Sequence, residues 1–177
     1  MAVLYVDQVD PQSGTTLTIG TSGDTVALGT GVVQSNMLYP AFSAVAAGSQ
    51  TIADATNTIL TFATEIFDTD SAYDGTNKFT VPAGEGGKYF FIANIRLDSM
   101  YDDDEIQFSF FKNGSRDATT LNYISVPKDN MSYAFGITGI IVLAATDYVQ
   151  VNIYHTRGSS RTTTAASTAF SGYKIGT

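Results

Sequence analysis

From Phe42 onward, apolar and polar residues alternate at every second position over most of the chain, the period of a strand with one buried face. The runs predict strands over Phe42–Ala47, Asn57–Phe67, Lys78–Val81, Lys88–Leu97, Ile106–Lys112, Thr119–Val126, Tyr133–Leu143, Tyr148–Tyr154 and Phe170–Ile175. Between them lie a polar loop over Asp68–Asn77, a turn over Ala83–Gly87, an Asn113-Gly114 hairpin signal and a polar loop over Arg157–Ala166. Pro82 stops the strand before it, because it cannot donate to a ladder. Eight to ten short strands without a helical period predict an all-β sandwich or jelly roll.

Residues 1–36 differ from the remainder. They contain no Phe and one Tyr, and Gly, Thr, Asp and Val dominate them. Leu17-Thr18-Ile19 and Val26-Ala27-Leu28 predict two very short strands nine residues apart. Strands this short gain stability by stacking or by winding against other chains. The expected division is therefore an N-terminal β-stub over 1–36, for attachment or assembly, and a body over 37–177. Gln34-Ser35-Asn36 is the expected junction, and a flexible arm is the plainer alternative for the stub.

Several strands are apolar on both faces. In Tyr133–Leu143, Ile137, Ile141 and Leu143 share one face while Ile140 and Val142 share the other. In Lys88–Leu97, Tyr89, Phe91, Ala93, Ile95 and Leu97 form the core face, yet Phe90 and Ile92 stand opposite. Val149, Val151 and Ile153 point one way in the next strand, and Tyr148 and Tyr154 the other. Burying one large apolar side chain contributes roughly 1.5–3 kcal/mol, so a second buried surface against sister subunits is expected. Phe90, Ile92, Ile140, Val142, Tyr148 and Tyr154 are the expected interface. A loop or the stub folding over that side is the alternative.

Composition narrows the function. There are 24 Thr, 15 Ser, 11 Phe and 10 Tyr, with 15% charged residues, which suits β-structure. The formal charge of −8 argues against nucleic-acid binding, since little would neutralise phosphate. The absence of Cys excludes disulfides and thiol chemistry. No secretory signal or membrane-length apolar run is expected. His155 is the single histidine and reads as a surface or interface residue whose protonation gives modest pH sensitivity, not as a triad member. Ser159 and Ser160 are near it in sequence but lack a nucleophile elbow. A hydrolase is the rival class, but Glu65, Glu85 and Glu105 fall on different elements, so paired carboxylates for glycoside hydrolysis are not expected. The protein is therefore read as non-enzymatic.

Asp102-Asp103-Asp104-Glu105 is the sharpest local feature. Four successive carboxylates repel one another unless water or a shared cation separates them. Calcium held by Asp102, Asp103, Asp104 and Glu105 and a solvated acidic tip are the two readings; Asp68, Asp70 and Asp74 are a weaker calcium candidate. No other cofactor is expected. Tyr73, Tyr101, Tyr123 and Tyr133 lie in or beside turns and are the candidate receptor-facing set.

Four segments in register resemble the globular head of complement C1q-like and tumour-necrosis-factor-like proteins. They are Pro40-Ala41-Phe42-Ser43-Ala44, the stretch from Phe67-Asp68 through Phe79-Thr80-Val81-Pro82 to Gly87-Lys88-Tyr89-Phe90-Phe91, Asp147-Tyr148-Val149-Gln150-Val151, and Phe170-Ser171-Gly172-Tyr173. Together they cover nearly all of residues 40–177. The turn through Ala83-Gly84-Glu85-Gly86 is longer than the family's, and Thr146 stands where the family usually has Gly. The resemblance implies a ten-stranded jelly roll, a homotrimer with the two-sided strands near its axis, and action by binding. Some relatives of this fold carry calcium near the corresponding tip or axis.

Thr15–Val32 is similar to short segments of tail-fibre and other virion proteins of tailed bacteriophages. That implies a virion structural protein, with a stub docked on other virion proteins and a trimeric tip facing a host surface protein or glycan. No membrane insertion is implied, and the expected location is the exterior of a phage tail or capsid. A free, extracellular C1q-like lectin or adhesion module and a capsid decoration protein without host contact are the alternatives.

Overall fold

The computed structural model describes residues 9, 17–25, 30, 40–127 and 130–176. The chain divides into two units, Met1–Asn36 and Met37–Thr177. In the first, Leu17, Thr18 and Ile19 are exposed and form no strand. A turn follows them: Asp24 accepts hydrogen bonds from the Thr21 amide (2.7 Å) and hydroxyl (3.1 Å), which lower its pKa. Val26–Leu28 and the expected junction lie outside the described residues.

The second unit holds thirteen strands and one 3-10 turn among its described residues. The strands are β1 (Ala41–Val45), β2 (Thr51–Ile52), β3 (Thr58–Ile59), β4 (Thr64–Asp68), β5 (Phe79–Thr80), β6 (Gly87–Met100) and β7 (Glu105–Lys112). They continue as β8 (Ser115–Arg116), β9 (Asn122–Ser125), β10 (Met131–Leu143), β11 (Tyr148–His155), β12 (Arg161–Thr162) and β13 (Ala169–Gly176). The first sheet runs β10-β6-β13-β1-β4. The second runs β3-β11-β7-β8, with β5 also on β11 and β9 also on β7. All the pairings are antiparallel, and β12 and β2 form a separate small pair. The result is the all-β jelly-roll sandwich expected from the alternation.

Aromatic rings join the two sheets. Phe91 of β6 lies 5.7 Å from Phe110 of β7, and Phe42 of β1 stacks on Tyr73 and Phe79 at 5.0 and 4.9 Å. Phe170 meets Phe42 edge-on at 4.8 Å. The glycine of the Phe170-Ser171-Gly172-Tyr173 segment is needed for space: a Cβ on Gly172 would overlap the Phe91 ring. At the Asn113-Gly114 turn both residues have positive φ (50° and 77°), which matches the right-handed twist of β7 and β8.

Three expectations change. Asn57–Phe67 is not one strand: β3 belongs to the second sheet and β4 to the first, and the chain crosses between them. Leu60 and Phe62 keep the alternation through the crossing because both fill the core, so period alone hides the change of sheet. The Gln50 side chain supports the corner, accepting from the Thr61 amide and donating to the Ile59 carbonyl, each at 2.9 Å. The Thr119–Val126 strand shortens to β9, because Thr120 is buried and its hydroxyl accepts from the Phe110 amide (3.1 Å). The Arg157–Ala166 loop carries β12 and leads into a 3-10 turn at Ala165–Ser167.

Candidate functional site

The two sheets present outward faces of opposite chemistry. On the first sheet, register sets Ile140, Phe90, Tyr173 and Ala41 side by side across four strands. The next rung is Thr138, Ile92, Ser171, Ser43 and Phe67. The Phe90 and Tyr173 rings sit 5.5 Å apart, and the Ser171 hydroxyl donates to that of Ser43 at 2.9 Å. Val142 stands 66% exposed, Ile140 58% and Tyr173 49%, and Ile92, Ile175 and Phe67 are also exposed. Toward the other end of this face lies a groove of about 700 Å³, lined by small residues that include Ala134, Gly136 and Ala169, with Asn94 and the Ala165–Ser167 turn. The chain thus lays six large apolar side chains open on one side of a single sheet.

The outward face of the second sheet carries phenols, amides and charges, with Phe111 and Ile59 half-buried among them. Register sets Tyr154, Gln107 and Tyr123 in one rung across β11, β7 and β9. The Tyr123 phenol hydrogen-bonds the Glu105 carboxylate, which pushes its pKa up. The following rung pairs Asn152 with Ser109, both almost fully buried. Arg116 on β8 reaches Asn57, beyond β11, at 3.4 Å, so its side chain spans the strands that carry this pair. Three polar atoms there, Ser109 Oγ, Asn152 Oδ1 and Asn152 Nδ2, have no hydrogen-bond partner among the described residues. An unpaired buried polar group costs roughly 1–3 kcal/mol, so this rung is less stable than an apolar one would be. Nearby, Gln150 donates to Asn77 at 2.7 Å and the Lys78 ammonium lies 5.4 Å from the Tyr148 ring centre.

The expected interface set therefore divides. Phe90, Ile92, Ile140 and Val142 share the apolar face. Tyr148 and Tyr154 lie on the outward face of the other sheet, because β11 joins β7 rather than β6. Strand parity places a residue inside or outside the sandwich but does not say which sheet it belongs to. Phe67, Tyr173 and Ile175 belong with the apolar four; their signal was the same, a large apolar residue on the polar phase of its strand.

The receptor-facing tyrosines divide too. Tyr73 is a core residue: its hydroxyl donates to the Phe62 carbonyl at 3.0 Å, and burial raises its pKa. Its position in a polar loop masked that role. Tyr133 is half-buried against the core, whereas Tyr123 is half exposed. Tyr101 is exposed and carries the Arg157 guanidinium 3.6 Å over its ring.

The acidic run is a turn with one carboxylate drawn inward. Asp103 has φ 64°, and Asp104 is buried, accepting from the Tyr101 amide at 2.7 Å and pairing with Arg157 at 3.5 Å. Among the described residues no three carboxylate or imidazole groups gather as metal ligands. Asp102 and Asp103 face solvent. Asp74 is occupied in its own loop, where it accepts from the Thr76, Asn77 and Lys78 amides.

His155 is fully buried, not at the surface, because it continues the inward phase of Val149, Val151 and Ile153. The Arg157 amide donates to its Nδ1 (3.3 Å), which leaves Nε2 as the donor to the Ile52 carbonyl at 3.2 Å. Asp54 lies 3.7 Å from Nδ1. Ser159 accepts from Arg161 instead of facing the ring. Glu85 pairs with the buried ammonium of Lys174 at 2.9 Å, while Glu65 sits on β4 and Glu105 on β7.

Two antiparallel sheets of this order, closed over an aromatic core, define the class of all-β jelly-roll sandwiches. Residues 41–175 match the C1q domain family, and the chain belongs to that family. Among solved structures, murine APRIL at pH 8.0 is 13% identical, with a TM-score of 0.56 over 77% of this chain and 99% of its own. The Eiger TNF from S. frugiperda is 10% identical, with a TM-score of 0.50 over 78% and 92%. The globular domain of the zebrafish complement 1qA protein is 18% identical over 77% and 97%, with a TM-score of 0.47. At these identities the likeness concerns the fold alone. No curated protein matches the sequence. Among the described residues, no helix is long and apolar enough to cross a membrane.

Proposed function

We propose that the protein is a homotrimeric, non-enzymatic binding head of a tailed-bacteriophage virion, a tail-fibre or receptor-binding tip that recognises a host surface protein or glycan. The observation that carries the assembly is the apolar face of the first sheet. C1q and TNF domains commonly form homotrimers and generally act as binding modules. Burying Ile140 and Val142 against sister subunits contributes roughly 1.5–3 kcal/mol for each side chain, and leaving them in water forfeits that. The virion assignment is supported by the similarity of Thr15–Val32 to phage fibre segments. In this reading residues 1–36 attach the head to other virion proteins.

Deletion of residues 1–36 tests the division of labour. Particles assembled with the truncated chain are expected to lose it, as read by immunogold labelling, while the truncated chain keeps its subunit number. A truncated chain that falls to single subunits places assembly in the stub instead. Labelling that never decorates particles ends the virion reading and favours the free lectin.

A further inference from the structure

We propose that the outward face of the second sheet is a binding site for a neutral, linear oligosaccharide, seated across the Tyr154–Gln107–Tyr123 rung. This rests on reading the head as a binding module and names the class of ligand it takes.

Geometry comes first. Tyr154 and Tyr123 flank β7 from its two neighbouring strands, which sets them about 10 Å apart, close to the length of a disaccharide unit. Each phenol offers an apolar ring for a sugar face and a hydroxyl for its edge. Gln107 between them both donates and accepts, as a saccharide hydroxyl requires. Glu105, already bonded to Tyr123, supplies an acceptor at one end of the rung.

The second observation is independent of the tyrosines. The amide of Asn152 and the hydroxyl of Ser109 are buried one rung away with no hydrogen-bond partner among the described residues, beneath the reach of Arg116 toward Asn57. Buried polar groups are ordinarily paired, so a set left open beside an aromatic rung points to a ligand that completes it. Arg116 is itself exposed and can leave Asn57, which uncovers the pair to a polyhydroxyl chain.

Charge and shape select the occupant. A net charge of −8 repels acidic polysaccharide. A second copy of the chain is disfavoured because, among the described residues, no exposed aliphatic side chain stands within β3, β7, β8, β9 or β11; Leu121, just before β9, is the one exposed aliphatic residue beside this face. What remains suits an uncharged chain of sugars.

The test is calorimetric titration of the full chain with cellohexaose, mannohexaose, hexa-N-acetylchitohexaose and, as the charged control, a hexamer of galacturonic acid. At least one neutral hexasaccharide is expected to bind, and the acidic one is not. Tyr123→Ala is expected to weaken binding about tenfold with subunit number unchanged. Asn152→Leu is expected to abolish binding while raising the thermal midpoint, an outcome that a purely structural asparagine would not give. Should Asn152→Leu fail to fold, the exposed Tyr123→Ala carries the test. Binding of no neutral hexasaccharide, binding of the acidic one alone, or affinity unmoved by Tyr123→Ala overturns the site. Attachment to intact bacterial cells, measured in parallel after periodate or proteinase treatment, separates the two levels. Attachment that survives periodate but not proteinase overturns the sugar site and leaves the binding head standing, whereas no attachment to any cells counts against the head's binding role itself.

Discussion

The two outward faces of the sandwich are built on the same β-ladder chemistry and differ in what their solvent-side phase carries. On the first sheet that phase holds Ile140, Val142, Phe90, Ile92, Tyr173 and Ile175; on the second it holds Tyr154, Gln107, Tyr123, Gln150 and Arg116, with one half-buried ring, Phe111. Apolar side chains gain by meeting another surface and have no preference for a small polar ligand. Phenols and amides carry donors and acceptors beside their apolar parts, and hydroxyl-rich partners can pair them. One sandwich can thus assign assembly to one sheet and recognition to the other, with an aromatic core keeping the two roles apart.

The largest expected effect breaks the apolar side. Ile140→Asp puts a carboxylate in the proposed contact and is expected to raise the dissociation constant of the assembly by ~10³, read by sedimentation equilibrium. Gln107→Asp on the opposite face is expected to leave subunit number unchanged. If the two variants behave alike, the faces are not specialised. Next in size is the core between them. Gly172→Ala forces a Cβ into the Phe91 ring and is expected to cost about 3 kcal/mol in urea unfolding. A neutral result there would mean the sheets can slide apart without loss.

A smaller effect concerns the end of the polar sheet, where Asp147 ties the turn before β11 to the end of β7. The Asn113 amide (2.7 Å), the Ala144 N–H (2.8 Å) and the Lys112 ammonium (2.9 Å) hold its carboxyl down at about 2, against an ordinary 3.8. A depressed carboxyl contributes stability that is complete above its unfolded value and is lost as the pH falls through its folded one. Asp147→Asn is therefore expected to be about 1–2 kcal/mol less stable at neutral pH, a gap that closes between roughly pH 4 and pH 2. A gap that stays constant on acidification would place the loss in geometry rather than charge. The smallest effect is a gain. Thr146 holds φ 72°, a left-handed conformation poorly suited to a β-branched residue. Thr146→Gly is expected to raise stability by ~0.5–1 kcal/mol, net of the added chain entropy.

The sandwich was legible because a strand's inside and outside are written into its period. Phe91, Ile95, Val151 and Phe170 fall where alternation places them, and the Asn113-Gly114 turn follows from its dipeptide. The same period hid what depends on partners across space. It could not say that β3 and β4 lie in different sheets, because Leu60 and Phe62 are buried on both sides of the corner. Nor could it say that Tyr154 and Ile140 look in opposite directions, since sheet membership is a tertiary choice. Tyr73 sat in a polar loop and gave no sign that its ring would fill the space beside Phe42. His155 is the reverse case: its phase already pointed inward, and polarity alone suggested the surface. Asp104 turns inward to the nearby Tyr101 amide and to Arg157, more than fifty residues later, and no local pattern announces the second partner.

Light scattering of the full chain at two concentrations tests most directly whether the apolar face is covered by sister subunits. The account predicts a particle of three times the 18.8 kDa chain mass at both concentrations. A well-folded species of single-chain mass, with Ile140 and Val142 left in water, would contradict it.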